Sequence, residues 1–270
     1  MIKIGDEVID IGSFPDGTIL MKQAGILSRK VRIEWRYEDD REFLALIYLV
    51  KHLRQIGVRF GGYKFELFMP YIPNARMDRV KNDDDVFTLK YFAELLNSLE
   101  FDYVIVLDPH SYVSEALINN VKVVRPNAHI LKSVLRMEET GRDRMVFYPD
   151  EGACKRYSNL IGLNGTPYAF GIKKRNWETG KIEGLDVAGA VDQIAGKDIL
   201  IVDDICSRGG TFYHSAKKLK ELGAKDIYLY VSHCENTILE GELLDGDLIK
   251  KVFTTDSIFT KSHEKVEVLK

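Results

Sequence analysis

Short apolar runs alternate along this chain with stretches of helical period, and that alternation is the strongest constraint on its fold. Residues 103–107 (YVIVL), 145–148 (MVFY), 167–172 (PYAFGI), 198–202 (DILIV) and 226–231 (DIYLYV) are mainly β-branched, aliphatic and aromatic. A strand wet on one face alternates polar with apolar. These do not, so each predicts a strand covered on both faces. Residues 66–69 (ELFM) predict another, ending at Pro70. Between the strands, 87–99 (FTLKYFAELLNSL) sets Leu89, Phe92, Leu95, Leu96 and Leu99 on one helical face, and 211–222 is also helical. Asp83-Asp84-Asp85 reads as a helix N-terminus, where the helix dipole favours negative charge. Strands separated by helices of this length make parallel βαβ units and an α/β fold.

With 270 residues, the chain is long enough for about two domains. YVIVLDPHS (103–111) and ILIVDDICS (199–207) both read as a strand with an acidic residue at its C-terminal end, which suggests two similar α/β domains in tandem. A strand, Pro126 and a new helix in 120–128 (NVKVVRPNA) place the boundary between 1–125 and 126–270. The Gly- and charge-rich stretch 176–187 (NWETGKIEGLDV) is expected to be an irregular loop near a site. Lys+Arg 38 against Asp+Glu 41 gives a net charge of −3, which disfavours a nucleic-acid partner. Cys154, Cys206 and Cys234 form no CxxC pair, and with no apolar run long enough to span a bilayer the expectation is a cytoplasmic protein with no membrane partner.

The sharpest local signal is the strand 199–202 followed by Asp203-Asp204 and then Ser207-Arg208-Gly209-Gly210-Thr211 at the start of a helix. Glycines let backbone N–H groups turn toward an anion, and the helix N-terminus adds a favourable dipole. Ser207 and Thr211 add hydroxyls. The two carboxylates would repel a phosphate and suit ribose hydroxyls or a metal-bound water instead. Cys206 reads as a small packed residue. Strand, DD, then GGT resembles the 5-phosphoribosyl 1-diphosphate (PRPP) signature of type I phosphoribosyltransferases and PRPP synthetases.

Five further segments, in that family's order, resemble the synthetases. Phe14-Pro15-Asp16-Gly17 resembles FxDGE, and Pro70-Tyr-Ile-Pro-Asn-Ala75-Arg76-Met77-Asp78-Arg79 resembles PYxxYARQDR. Val106-Leu-Asp108-Pro109-His110-Ser111 resembles the metal and ATP segment, and Tyr148-Pro-Asp150-Glu151-Gly152 the pyrophosphate-side loop. Ala169-Phe-Gly-Ile-Lys173-Lys174-Arg175 resembles the entry to the catalytic flexible loop. Taken alone, His110 is an ordinary loop histidine and Lys173-Lys174-Arg175 a solvated basic run; the ordered context changes both readings.

The resemblance implies two tandem phosphoribosyltransferase-like domains, each a mainly parallel sheet flanked by helices, with ATP on the 1–125 side and the ribose-phosphate loop in 126–270. It implies transfer of a diphosphate from ATP to the anomeric hydroxyl of ribose 5-phosphate, giving PRPP and AMP, with Mg2+ bridging phosphates. Phe14, Asp16, Arg76, Asp78 and His110 would bind ATP, and Asp108, His110 and Asp150 would organise the metal. Lys173, Arg175 and His110 would be catalytic. Asp203 and Asp204 would hold ribose hydroxyls, and Ser207, Arg208, Gly209, Gly210 and Thr211 the 5-phosphate. A homo-oligomer is implied as well, because Phe14 and its neighbours in that family reach an adjacent subunit's ATP site.

The chain departs from the pattern at Thr18 (Glu in FxDGE), at Met77 (Gln in YARQDR), and at Ser207-Arg208, where the synthetases read DTAGT. A cationic Arg208 suits a second phosphate, which keeps ADP-ribose open as the acceptor, giving ADP-ribose pyrophosphate for NAD salvage. Shortness at both ends fits a compact, viral member of that salvage type. The Arg76 and His110 segments disfavour a phosphoribosyltransferase consuming PRPP, and the retained Lys173, Arg175 and Asp pair disfavour a non-catalytic subunit.

Overall fold

The computed structural model describes residues 1–23, 28–57, 64–138, 141–160, 162–175 and 182–270. The chain divides into two compact units, Met1–Arg125 and Pro126–Lys270.

The first unit is built on β1 (Ile2–Ile4), β2 (Glu7–Val8), a ribbon of β3 (Gly12–Ser13) and β4 (Ile19–Leu20), β5 (Lys30–Trp35), α1 (Asp40–Gly57), β6 (Lys64–Phe68), α2 (Thr88–Asn97), β7 (Tyr103–Leu107), α3 (Tyr112–Leu117) and β8 (Val121–Val124). Its main sheet has the order β2-β1-β5-β6-β7-β8. β5 through β8 are parallel, and β1 adds an antiparallel edge with Ile2 opposite Trp35. α1 buries Ala45, Leu46, Leu49, Val50 and Leu53, a stripe at helical spacing against Trp35, Phe65 and Leu67. α2 buries Leu89, Phe92, Ala93 and Leu96. Leu95, expected on that face, is 52% exposed; it lies beyond the edge of a stripe centred on Leu89, Ala93 and Leu96. The acidic run 83–85 precedes α2 instead of opening it. Asp85 accepts from the Lys81 and Asn82 N–H groups at 2.9 and 3.0 Å, closing a turn of its own.

The second unit contains α4 (Asn127–Glu138), β9 (Arg144–Tyr148), α5 (Glu151–Tyr157), β10 (Tyr168–Arg175), β11 (Ile182–Gly189), β12 (Asp198–Cys206), α6 (Gly210–Glu221), β13 (Ile227–Cys234), β14 (Lys251–Thr254) and β15 (Val266–Val268). The sheet order is β11-β10-β9-β12-β13-β14-β15, parallel throughout except for the β10–β11 pair. Its two faces carry separate cores. Ile199, Ile201, Ile227 and Leu229 pack with Phe212, Ala216 and Leu219 of α6. Leu200, Val202, Tyr228 and Tyr230 pack with Ile130 and Val134 of α4 and Ala153 and Tyr157 of α5. The two-residue period of a strand therefore feeds both cores at once, which is why these runs read as continuously apolar.

The loop expected over 176–187 is contradicted in its second part. Ile182–Gly189 is strand, paired antiparallel with β10 from Lys173↔Leu185 to Ala169↔Gly189. Leu185 and Val187 pack against the α6-side core, a two-residue period masked in the sequence by the intervening Gly184 and Asp186. Residues 176–181 lie outside the described residues.

Candidate active site

In each unit the candidate residues gather at the C-terminal ends of the parallel strands, where open α/β sheets bind ligands. In the first unit the chain leaving β6 and the chain leaving β7 run side by side. Met69 N–H donates to Ile105 O at 2.9 Å, and Leu107 N–H to Pro70 O at 3.0 Å. Asp108 follows with φ +40°, its N–H donating to Val124 O at 3.0 Å. That left-handed residue turns the chain sharply toward His110 and Ser111.

Asp78 is only 4% exposed. Arg79 grips it through two bonds, Nε to Oδ1 at 2.7 Å and Nη2 to Oδ2 at 3.0 Å. Arg79 hydrogen bonding, the Ser111 hydroxyl and the nearby His110 together hold the Asp78 carboxyl below the usual carboxylate range, against the opposing effect of burial. The sequence-predicted Asp78 and His110 are thus brought together, and Arg79 joins them, a residue assigned no role from sequence. Arg76 is exposed on the same loop.

Phe14 and Asp16 stand apart, at the tip of the β3–β4 ribbon. Arg41 Nη2 ties that ribbon to α1 by donating to Gly12 O at 2.6 Å and Ser13 Oγ at 2.5 Å. Asp16 Oδ1 accepts from Thr18 N–H at 3.0 Å and Thr18 Oγ1 at 2.7 Å, which lowers the Asp16 pKa. Thr18 therefore closes the turn locally. Phe14 is 50% exposed.

In the second unit, β9 ends at Tyr148, and Asp150 caps α5, accepting from Ala153 N–H at 3.1 Å. β10 passes close by. A Cβ on Gly171 would meet Pro149 O at 2.7 Å and Leu185 Cδ1 at 2.8 Å, so only glycine lets this strand carry the Lys173–Arg175 backbone past the Asp150 turn. The side chains of Lys173 and Arg175 lie outside the described residues.

β12 continues past both carboxylates to Cys206. The strand does not end in the acidic pair; it holds the pair rigidly, with neighbouring side chains pointing to opposite faces. Arg156 of α5 lies 3.4 Å from Asp204 Oδ2. Asp203 Oδ1 accepts from Asp204 N–H at 2.9 Å. Burial first, then the charges of Asp204 and Asp150, push the Asp203 carboxyl well above the usual range.

Gly209 precedes α6 with φ +80°, and a Cβ there would lie 2.8 Å from Leu243. The loop rests on two short 3₁₀ turns, Asn236–Glu240 and Glu242–Leu244. Ser207 Oγ donates to Glu235 Oε2 at 2.7 Å. Arg208 Nη2 donates to Glu240 Oε2 at 2.9 Å, and its side chain is 72% exposed. Glu235, Glu240 and Gly241 escape a reading made along the chain, because the β12–β13 pairing brings them to the loop from far away in sequence.

Asp108 and His110 lie in one unit and Asp150 in the other. Among the described residues no group of three or more His, Cys, Asp or Glu side chains is placed to hold a metal ion. Among them, too, no helix is long and apolar enough to cross a membrane.

Relatives are found for this combination. The ribose-phosphate pyrophosphokinase of Saccharolobus solfataricus is 26% identical over 228 residues, covering 82% of this chain and 74% of the relative. That of Thermococcus kodakarensis is 29% identical over 227 residues, covering 83% and 77%. The chain is a homologue of the ribose-phosphate pyrophosphokinases. The match to these pyrophosphokinases spans both units. Phosphoribosylpyrophosphate synthetase from Mycobacterium smegmatis has the same fold, with a TM-score of 0.76 at 19% identity over 97% of this chain and 85% of that one. No family model matches the chain.

Proposed function

We propose that the protein transfers a diphosphate from ATP to the anomeric hydroxyl of ribose 5-phosphate, producing PRPP and AMP. The observation that carries this reading is the rigid Asp203-Asp204 pair on β12 leading into the Ser207–Thr211 loop at the start of α6. The pair suits ribose hydroxyls through charge-assisted hydrogen bonds, and the loop suits the 5-phosphate. Homology to proteins named ribose-phosphate pyrophosphokinase supports the same reaction class.

Such chemistry depends on positioning and charge neutralisation more than on covalent help. Arg76, Asp78 and His110 would orient ATP, with Arg79 fixing Asp78 in place. Lys173 and Arg175 would neutralise charge on the transferring diphosphate. Exposed Phe14 and the Asp16 turn would complete an adenine site in a neighbouring copy of a homo-oligomer. Mg2+, when bound, would supply charge neutralisation for the ATP phosphates. In the second unit Asp150 offers hard carboxylate oxygens, and the Asp203 carboxylate lies close enough to feel its charge, a setting that favours a divalent cation; in the first unit Asp108 offers another carboxylate. Mg2+ takes one or two carboxylates and completes its shell with phosphate and water.

A second acceptor, ADP-ribose, is supported by one observation: Arg208 sits at the solvent edge of the loop beside Glu240, and a guanidinium there would suit a further phosphate. The test is to incubate the protein with Mg2+ and ATP plus each acceptor and to weigh the product. Ribose 5-phosphate gaining two phosphoryl groups supports the first reading. Gain only on ADP-ribose replaces the acceptor, and gain on neither removes the reading.

A further inference from the structure

We propose that Glu235 is a specificity-determining residue of the phosphate loop, weakening its hold on a doubly charged phosphate monoester relative to a singly charged, esterified phosphate. The proposal rests on the reading that residues 207–211 hold the acceptor's 5-phosphate.

The register sets Cys234 beside Cys206, so the chain leaves β13 directly alongside the loop. Glu235 N–H donates to Cys206 O at 2.8 Å, fixing the backbone there. Ser207 Oγ donates to Glu235 Oε2 at 2.7 Å, Thr237 Oγ1 donates to the same oxygen at 3.1 Å, and the two hydroxyls are 3.2 Å apart. A hydroxyl has one proton to give. Ser207 gives its proton to Glu235 and turns lone pairs toward any anion in the loop. The donors that remain are the loop N–H groups and Thr211. Among the loop side chains the opposing charge is Arg208, but its guanidinium is already engaged with Glu240 at an exposed position, where water and salt screen it. Glu235 is only half-buried but lies one hydrogen bond from the loop, closer than a screening length.

Repulsion from a fixed carboxylate grows in proportion to ligand charge. A phosphate monoester carries about −1.5 to −2 near neutral pH, whereas each phosphate of a diphosphate diester carries one charge. Glu235 therefore opposes a terminal phosphate more strongly than one extended by a further group.

The test titrates the full chain at pH 7.5 with ribose 5-phosphate and with ADP-ribose by calorimetry, for wild type and Glu235→Gln. Glutamine keeps an acceptor for both hydroxyls and removes the charge. The dissociation constant for ribose 5-phosphate should fall about tenfold, the scale of a ligand charge of about −1.5 to −2 at about 5 Å from a carboxylate at a water-like dielectric, while that for ADP-ribose, with about one charge in the loop, falls only about three- to fivefold. Equal changes for both ligands, or weaker ribose 5-phosphate binding, overturn the proposal. Thr211→Val separates the two layers. Weaker binding of both acceptors in Thr211→Val, with no selective effect of Glu235→Gln, overturns the role of Glu235 and leaves the loop as the phosphate site. Unchanged binding of both in Thr211→Val removes the loop assignment and the proposal with it.

Discussion

Replacing Gly241 by alanine isolates one contact on which the loop geometry depends. Gly241 has φ −105° and ψ 171°, extended backbone that any residue adopts. Its requirement for glycine is spatial. An added Cβ would lie 1.9 Å from Arg208 O and 2.8 Å from the Arg208 carbonyl carbon. Carbon and carbonyl oxygen ordinarily approach to about 3.3 Å, so the loop and the turn must part by about 1.4 Å. Backbone faces backbone, and no flexible side chain can yield instead. Such overpacking costs about 1–3 kcal/mol, which lowers Tm by roughly 2–10 °C in a domain of this size. A misplacement of about 1 Å at a binding site lowers turnover by roughly a hundredfold. Gly241→Ala should therefore reduce kcat/KM for the acceptor about a hundredfold, with KM for ATP within about twofold because Arg76, Asp78 and His110, the residues proposed to orient ATP, belong to the other unit. Steady-state kinetics varying each substrate in turn, together with a thermal melt, read both effects. Wild-type KM for the acceptor in a folded Gly241→Ala protein would refute the claim that the 3₁₀ turn positions the loop.

Three other outcomes follow from the same geometry. Lys173→Ala or Arg175→Ala should lower kcat by roughly a hundredfold with Tm nearly unchanged, and wild-type turnover in either variant would take that residue out of the mechanism. Asp203→Asn should abolish transfer and yet raise the Tm of metal-free protein at pH 7, because it removes a carboxylate opposed by burial, Asp204 and Asp150; a lower Tm would mean Asp203 serves the fold. Asp226 is raised by burial but held below the usual carboxylate range by Lys250, 2.7 Å away, and by Arg142. A depressed pKa adds stability above the ordinary carboxylate pKa and loses it as pH falls through the folded value. Lys250→Met should therefore cost about 0.5–1 kcal/mol at pH 7 and almost nothing near pH 2, where equal losses at both values would contradict the linkage.

Strands buried on both faces were legible because their composition states their burial: β9, β12 and β13 fall where the apolar runs lie. β7 and β10 also fall on their runs, but Tyr103, Tyr168 and Ile172 are exposed, so the expected cover on both faces is incomplete there. The antiparallel edge formed by β1 and β2 was not, since strands of three and two residues hold too few positions to show a period. β11 was hidden by glycines and charges at its alternate positions, and Leu95 by a helical stripe drawn too wide. The site divides in the same way. Asp203, Asp204 and the loop after them form one contiguous signal, as do Asp108 and His110. The residues that set the conformation and charge of the loop, Glu235, Glu240 and Gly241, reach it through the β12–β13 register. Arg156 reaches Asp204 from another helix, and neither relation leaves a mark on sequence spacing.

The central claim is that two phosphoryl groups move together. ATP labelled at the β-phosphorus, incubated with the protein, Mg2+ and a 5-phosphorylated ribose, tests this most directly. AMP should appear in one-to-one ratio with acceptor carrying the label, and the acceptor's mass should rise by two phosphoryl groups. Stoichiometric ADP, with the label left on the nucleotide and one phosphoryl group on the acceptor, would contradict it.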